Sequence, residues 1–298
     1  MSPAVRIGTR SSPLALAQAG LVLGALRREA PRRRFELVGI PTAGDRGGAA
    51  TDFTGALAEA LRSGRIDLAV HSAKDLPARD PPDLVVAAYP RRADFRDCVV
   101  RAPGRRGPLL PDGARVGFSS RRRRAQLLRA RPDLTVVPIR GNVDSRLRRL
   151  DQGDLDAVVL AAAGLLRLGR ADAIGGYLDP ARFLPCPGQG ALAVAVRRAD
   201  RPHRALARRL DHPATRSAVA AERAVAAGLG TDCDAPFGAL GRVRGGALRL
   251  RAELLEPEGR STVAASGGGP AGAPLGLARA VARRLRAGGA DALLGTAR

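Results

Sequence analysis

The stretch "IGTRSSPLALAQA", residues 7–19, decides how this chain is read. It closes a short strand, "AVRIGT" (4–9), and passes through Gly-x-x-Ser into a helix over 12–29. Ser12 stands where an N-cap belongs, and Pro13 falls in the first turn, where its missing N–H costs nothing. The same order returns at "VGFSSRRRRAQLL", residues 116–128. A helix that begins just after a strand of a parallel sheet aims its unsatisfied N–H groups and its dipole at the crevice where such sheets bind ligands. Two such stretches predict two α/β units, each with an anion site, around a cleft floored by two helix N-termini.

The surrounding sequence extends the pattern. "FELVGI" (35–40) reads as a strand, "TGALAEALRSG" (54–64) as a helix closed by Gly64, and "IDLAVHS" (66–72) as a strand covered on both faces. The succession βαβαβ predicts a parallel sheet. The middle third repeats it: strand 114–120, helix 121–131, strand 134–139, helix 142–153, strand into helix over 155–169. After the loop "PCPGQG" (185–190) comes a strand at 191–196. From about residue 213 the style changes to one helix (215–230), strands around 237–255, a Gly-rich turn "SGGGPAG" (266–272) and a final helix near 275–287. That is a small α+β domain.

At 298 residues, 45% hydrophobic, the chain is long enough for several cores, which Ala, Val and Leu must build because aromatic residues make up only 3%. The net charge of +22 fits polyanionic or acidic partners. Arg, Ala, Gly and Pro are abundant throughout, so a chain-wide compositional bias accounts for much of that charge. A nucleic-acid binder would interleave basic patches with aromatic side chains or show a helix-turn-helix, and neither occurs. Cys98, Cys186 and Cys233 are far apart and lack CxxC spacing, which argues against a disulfide framework or a zinc site. With no signal peptide pattern and no run of 18 apolar residues, a cytoplasmic protein without membrane spans is expected.

"HSAKDLP" (71–77) holds the one lysine of the chain, Lys74, directly before Asp75. Asp75 is either a turn aspartate ahead of Pro77 or a cleft carboxylate that holds positive charge during a reaction. Neighbouring residues at a strand end point opposite ways, so Lys74 and Asp75 need not pair. Arg10, Arg122, Arg123, Arg140, Arg146 and Arg167 fall at strand ends or on the elements that follow, where an Arg fork suits carboxylates. Any one of them alone reads as a solvated arginine. Cys233, between Asp232 and Asp234, is either a small buried hydrophobe or a covalent attachment point. The three histidines are scattered, and no P-loop, dinucleotide, zincin or nucleophile-elbow motif is present.

Eight ordered blocks, "RIGTRSSPLAL", "DLAVHSAKDLP", "SSRRRRAQL", "IRGNVDSRL", "DAVVLAAAGLLRLG", "LPCPGQGAL", "AERA" and "CDAPFGA", resemble the hydroxymethylbilane synthase (porphobilinogen deaminase) family over almost the whole chain. The resemblance implies two periplasmic-binding-protein-like (type II) α/β domains around a cleft plus a small C-terminal α+β domain. Its boundaries would be 1–92 with 189–210, then 93–188, then 211–298, the last carrying the cofactor cysteine. It implies head-to-tail condensation of four porphobilinogen molecules, with loss of ammonia, into the linear tetrapyrrole hydroxymethylbilane. The chain would grow on one dipyrromethane cofactor held by a thioether to Cys233. By the same resemblance Asp75 is the catalytic carboxylate, and Lys74, Ser120, Arg122 and Arg123 join it in holding the cofactor. Arg10, Ser12, Arg140, Arg146 and Arg167 bind substrate, and no metal takes part. A monomer with no specific nucleic-acid or membrane partner is implied. The stretch 46–61 lacks the lysine that this family usually carries there. A solute receptor shares the two-lobed architecture but has no use for Cys233.

Overall fold

Ser12 accepts a hydrogen bond from the Ala15 N–H at 3.4 Å, so the first helix starts where the sequence places it. In the computed structural model, which describes residues 3–41, 54–104, 106–231 and 235–296, strand β1 (Val5–Arg10) leads into helix α1 (Pro13–Glu29). Next come β2 (Phe35–Ile40), α2 (Gly55–Arg62), β3 (Leu68–Ser72) and β4 (Leu84–Ala88). A second series follows: β5 (Asp97–Arg101), β6 (Arg115–Phe118), α3 (Arg121–Ala130), β7 (Thr135–Pro138), α4 (Val143–Asp151), β8 (Ala157–Ala161), α5 (Ala162–Arg167) and β9 (Gly176–Tyr177). Then come β10 (Leu192–Arg197), α6 (Arg201–Arg208) and α7 (Pro213–Leu229). The chain ends with β11 (Phe237–Arg244), β12 (Ala247–Leu255), β13 (Thr262–Pro270), α8 (Pro274–Ala287) and α9 (Ala290–Thr296).

The chain divides into two compact units, Met1–Ala93 with Ala191–Arg216, and Asp94–Gly190 with Ser217–Arg298. The first holds a five-stranded sheet of order β2-β1-β3-β10-β4. One face packs on α1 and α6 through Val22, Leu26 and Leu206, and the other on α2 through Leu57 and Leu61. The second unit holds a sheet of order β7-β6-β8-β5-β9, covered by α3 on one face and by α4 and α5 on the other, and the three-stranded sheet β11-β12-β13. That small sheet has its own core, in which Val225, Leu250 and Leu254 meet Val281 and Leu285 of α8.

The two series are alike in atomic detail. The Arg6 N–H donates to the Asp67 carboxylate at 2.8 Å, and the Arg115 N–H donates to Asp156 at 2.7 Å. A Cβ on Gly8 would lie 2.3 Å from Ile66 Cδ1, and one on Gly117 would lie 3.0 Å from Leu155 Cδ1. Each glycine therefore admits an apolar residue from the turn before a neighbouring strand, Ile66 before β3 and Leu155 before β8.

Two expectations change. Both large sheets are mixed, not parallel: β10 runs antiparallel to β3 and β4, and β5 antiparallel to β8 and β9. Strands β4 (LVVAA) and β5 (DCVVR) are only five residues each, with no helix between them in the sequence to mark them. The Gly-rich segment at 266–270 is no turn. It is the second half of edge strand β13, paired residue for residue with β12. A Cβ on Gly267 would sit 2.9 Å from Leu277 Cδ1, so glycine there admits α8 onto the strand. The tight turn lies at Gly245–Gly246, where positive φ values of 56° and 75° suit a two-residue hairpin.

Candidate active site

In the first unit β1 and β3 are adjacent and parallel, so their carboxyl ends share one edge. β1 delivers Arg10 there, and Ser12 follows at the N-terminus of α1. Thr9 Oγ1 donates to the Ala15 carbonyl at 3.2 Å, and Gln18 Nε2 donates to Ser72 Oγ at 3.0 Å. The first bond ties α1 to the end of β1, and the second ties it to the end of β3. The chain then makes a single 3-10 turn, Ala73–Asp75, held by the Ala73 N–H donating to the Ala191 carbonyl at 3.0 Å. The strand stops at Ser72, so strand alternation does not govern Lys74 and Asp75. A 3-10 turn sets consecutive side chains about 120° apart. Both residues are half-buried, beside the N-terminus of α1. Arg10, Ser12, Lys74 and Asp75 thus share one corner of this unit.

In the second unit β6, β7 and β8 are parallel, and their carboxyl ends carry the other predicted residues. Ser120 is the extended N-cap residue of α3, and its side chain makes no capping bond. Arg140 is exposed on the turn after β7, and Arg146 is half-buried on α4, whose N-cap is Asn142.

Arg122 and Arg123 are buried, at 2% and 6% exposure, and share one carboxylate. Asp97 accepts from Arg122 Nη2 at 2.8 Å and from Arg123 Nε and Nη2 at 3.1 and 2.8 Å. Burial opposes ionisation of Asp97, yet the two guanidinium groups outweigh it and hold the carboxyl well below the usual carboxylate range. Arg122 also donates to the Leu184 carbonyl at 2.7 Å and to Gln126 Oε1 at 2.8 Å. The next basic residues of α3 turn toward the small sheet, where Arg124 pairs with Glu258 and Arg129 with the buried Glu253.

Arg167 closes α5. It is half-buried, and its Nη2 donates to the Gly190 carbonyl at 2.7 Å. Desolvation alone moves its pKa, down to about 10. The loop at 185–190 is where these side chains meet. Its Gly190 carbonyl receives Arg167, and its Gln189 Nε2 donates to Asp97 at 3.0 Å. Its Gly188 N–H donates to the fully buried Glu222 at 2.7 Å. Cys233 lies outside the described residues, as does most of the 46–61 stretch.

Sequence reasoning missed Asp97, Gln189 and Glu222. It looked for site residues at the carboxyl ends of strands, whereas β5 is antiparallel and brings its first residue, Asp97, to that edge opposite Ala161. Asp beside Arg in "FRDC" (95–98) was the available signal.

Residues 5–205 match the family model described as porphobilinogen deaminase, dipyromethane cofactor binding domain, and residues 217–287 match that of the porphobilinogen deaminase C-terminal domain.

The chain belongs to the porphobilinogen deaminase family.

It is 46% identical over 302 residues to the porphobilinogen deaminase of Acidothermus cellulolyticus, covering 97% of this chain and 91% of that one. With the porphobilinogen deaminase of Thermus thermophilus it shares 48% identity over 265 residues, 88% of each chain. A solved structure, the periplasmic VFT2 domain of BvgS from Bordetella pertussis, aligns with TM-score 0.42 and 21% identity, covering 70% of this chain and 86% of that one.

Porphobilinogen deaminases are transferases, and the longer of the two matches is to their dipyrromethane-binding domain. The donor set fits such a group. Arg167 is a desolvated cation balanced only by a carbonyl among the described residues, and a carboxylate-bearing ligand would complete it. No helix among the described residues is long and apolar enough to cross a membrane.

Proposed function

We propose that this chain condenses four porphobilinogen molecules head to tail and releases hydroxymethylbilane, with one ammonia lost per porphobilinogen and one water consumed at release. The observation that carries this reading beyond family membership is the half-buried Arg167, a cation without a carboxylate partner among the described residues. A reaction whose every added ring brings two carboxylates needs cations of that kind.

Asp75 is the reacting-centre carboxylate. It accepts the pyrrole N–H and stabilises the cationic azafulvene left when ammonia departs, and the next pyrrole attacks that cation through carbon. Its charge, fixed on a short turn, lowers the barrier because the site need not reorganise as positive charge develops. Lys74, Arg10, Ser12, Arg140, Arg146 and Arg167 hold the acetate and propionate arms. Ser120, Arg122 and Arg123 belong with Lys74 and Asp75 to the binding of dipyrromethane, which would be linked through Cys233. When bound, that group supplies the primer for the first condensation. The chain acts as a cytoplasmic monomer, with domains 1–92 plus 189–210, 93–188 and 211–298. The test is the ammonia released per porphobilinogen consumed by the purified protein. A ratio of one with formation of the linear tetrapyrrole supports the reading, and no consumption contradicts it.

A further inference from the structure

The two arginines at the start of α3 do not position themselves. Both guanidinium groups are buried and reach the same carboxylate, so their like charges repel across it. One carboxylate, Asp97, receives both, through opposite oxygens: Oδ2 takes Arg122 and Oδ1 takes Arg123. Asp97 is 1% exposed and cannot itself meet a ligand. Its own orientation is held by Gln189, also 1% exposed, whose Nε2 spans Asp97 Oδ1 at 3.0 Å and the Phe95 carbonyl at 2.8 Å. The cluster of two cations and one anion keeps one unit of positive charge, at the N-terminal turn of α3, where the helix dipole adds to it.

We propose that Asp97 is the positioning residue of this anion site, with Gln189 as its orienter. It fixes the geometry of Arg122 and Arg123 and neutralises one charge of the two, so that a single ligand carboxylate is balanced there. The proposal rests on the functional reading above, because that reading supplies the carboxylate ligand. It adds a role for two residues that are each 1% exposed. The loop at 185–190 is thereby coupled to the site twice, by Gln189 through Asp97 and by the Gly190 carbonyl on Arg167.

Loss of a buried carboxylate between two guanidinium groups can unfold the chain, so Asp97→Asn is paired with the milder Gln189→Met, which keeps every charge. Three readouts are taken on each: the fraction of chains carrying the two-pyrrole mass increment, KM against kcat for porphobilinogen, and the 15N Nε–H signals of Arg122 and Arg123. The signals are assigned with Arg122→Lys and Arg123→Lys. In Gln189→Met, KM is expected to rise about tenfold with kcat of the loaded fraction within about twofold, because a displaced anion site weakens binding more than chemistry. The loaded fraction is expected to fall, and the two Nε–H signals to shift. The Gln189→Met effect on KM should vanish in an Asp97→Asn background, since the first acts through the second. Gln189→Met with unchanged KM, loading and Nε–H signals overturns the proposal, as does full additivity of the two substitutions. If the wild-type chain carries no increment and consumes no porphobilinogen, the functional reading falls. The Nε–H signals then decide the positioning: protected in the wild type and shifted in Gln189→Met supports it, and averaged with the exposed arginines overturns it.

Discussion

Arg167 donates to the Gly190 carbonyl at 2.7 Å, and among the described residues no carboxylate shares its charge. A half-buried cation held by a neutral acceptor costs the fold desolvation without an ion pair's return. Desolvation lowers the guanidinium pKa to about 10, so the folded state holds the charge less favourably than the unfolded chain does. That cost is fully present below pH 10 and is relieved only as the pH rises through that value. Arg167→Met should therefore raise the melting temperature at neutral pH, by about 1–3 °C, while raising KM for porphobilinogen. A melting curve and a KM from the same preparation check both halves.

Asp75 is the proposed reacting-centre carboxylate, and the proposal rests on its charge. Asp75→Asn keeps the shape and loses the charge, and kcat should fall about 10²–10³-fold. Lys74→Arg replaces a compact ammonium with a planar fork on the same turn and should also slow turnover, though less. Ammonia release measures both, and an Asp75→Asn chain with wild-type kcat would remove this residue from the reacting centre.

The close approach of Gly8 to Ile66 should be felt as stability. Gly8→Ala puts a Cβ at 2.3 Å from Ile66 Cδ1 and should cost about 1–3 kcal/mol through overpacking. Ile66→Val removes that methyl and should recover part of the loss. Gly117→Ala, with its nearest contacts at 3.0 Å, should cost less than Gly8→Ala. Denaturant titrations of the single and double variants check the order.

Cys98 should be inert. It is fully buried on β5, and burial first, then the neighbouring Asp97 charge, pushes its thiol up to about 12. Thiolate is the reacting form, so iodoacetamide at pH 8 should leave Cys98 unmodified until the chain is unfolded. Peptide mapping after alkylation, with and without denaturant, reads this directly.

Much of the candidate site was legible in the sequence because its signals are local. Ser12 and Pro13 announce a helix start by capping chemistry alone, and the repeated Gly-x-x-Ser stretches mark both helix N-termini. What escaped depends on pairing between distant segments. Asp97 reaches the edge only because β5 runs antiparallel to β8, and no local pattern states a strand's direction. Gln189 sits in a loop whose partners lie up to 94 residues away. The glycines of 266–270 look like a turn because composition is the only local signal. Their reason, the approach of Leu277 to Gly267, exists only once α8 has packed.

Priming through a thioether at Cys233 is read from the intact mass of the purified chain, expressed in a host that makes porphobilinogen, beside a Cys233→Ser control. A mass above the polypeptide by two linked pyrrole units, lost in the control, is expected. An unmodified wild-type mass, or an increment that survives Cys233→Ser, would contradict it.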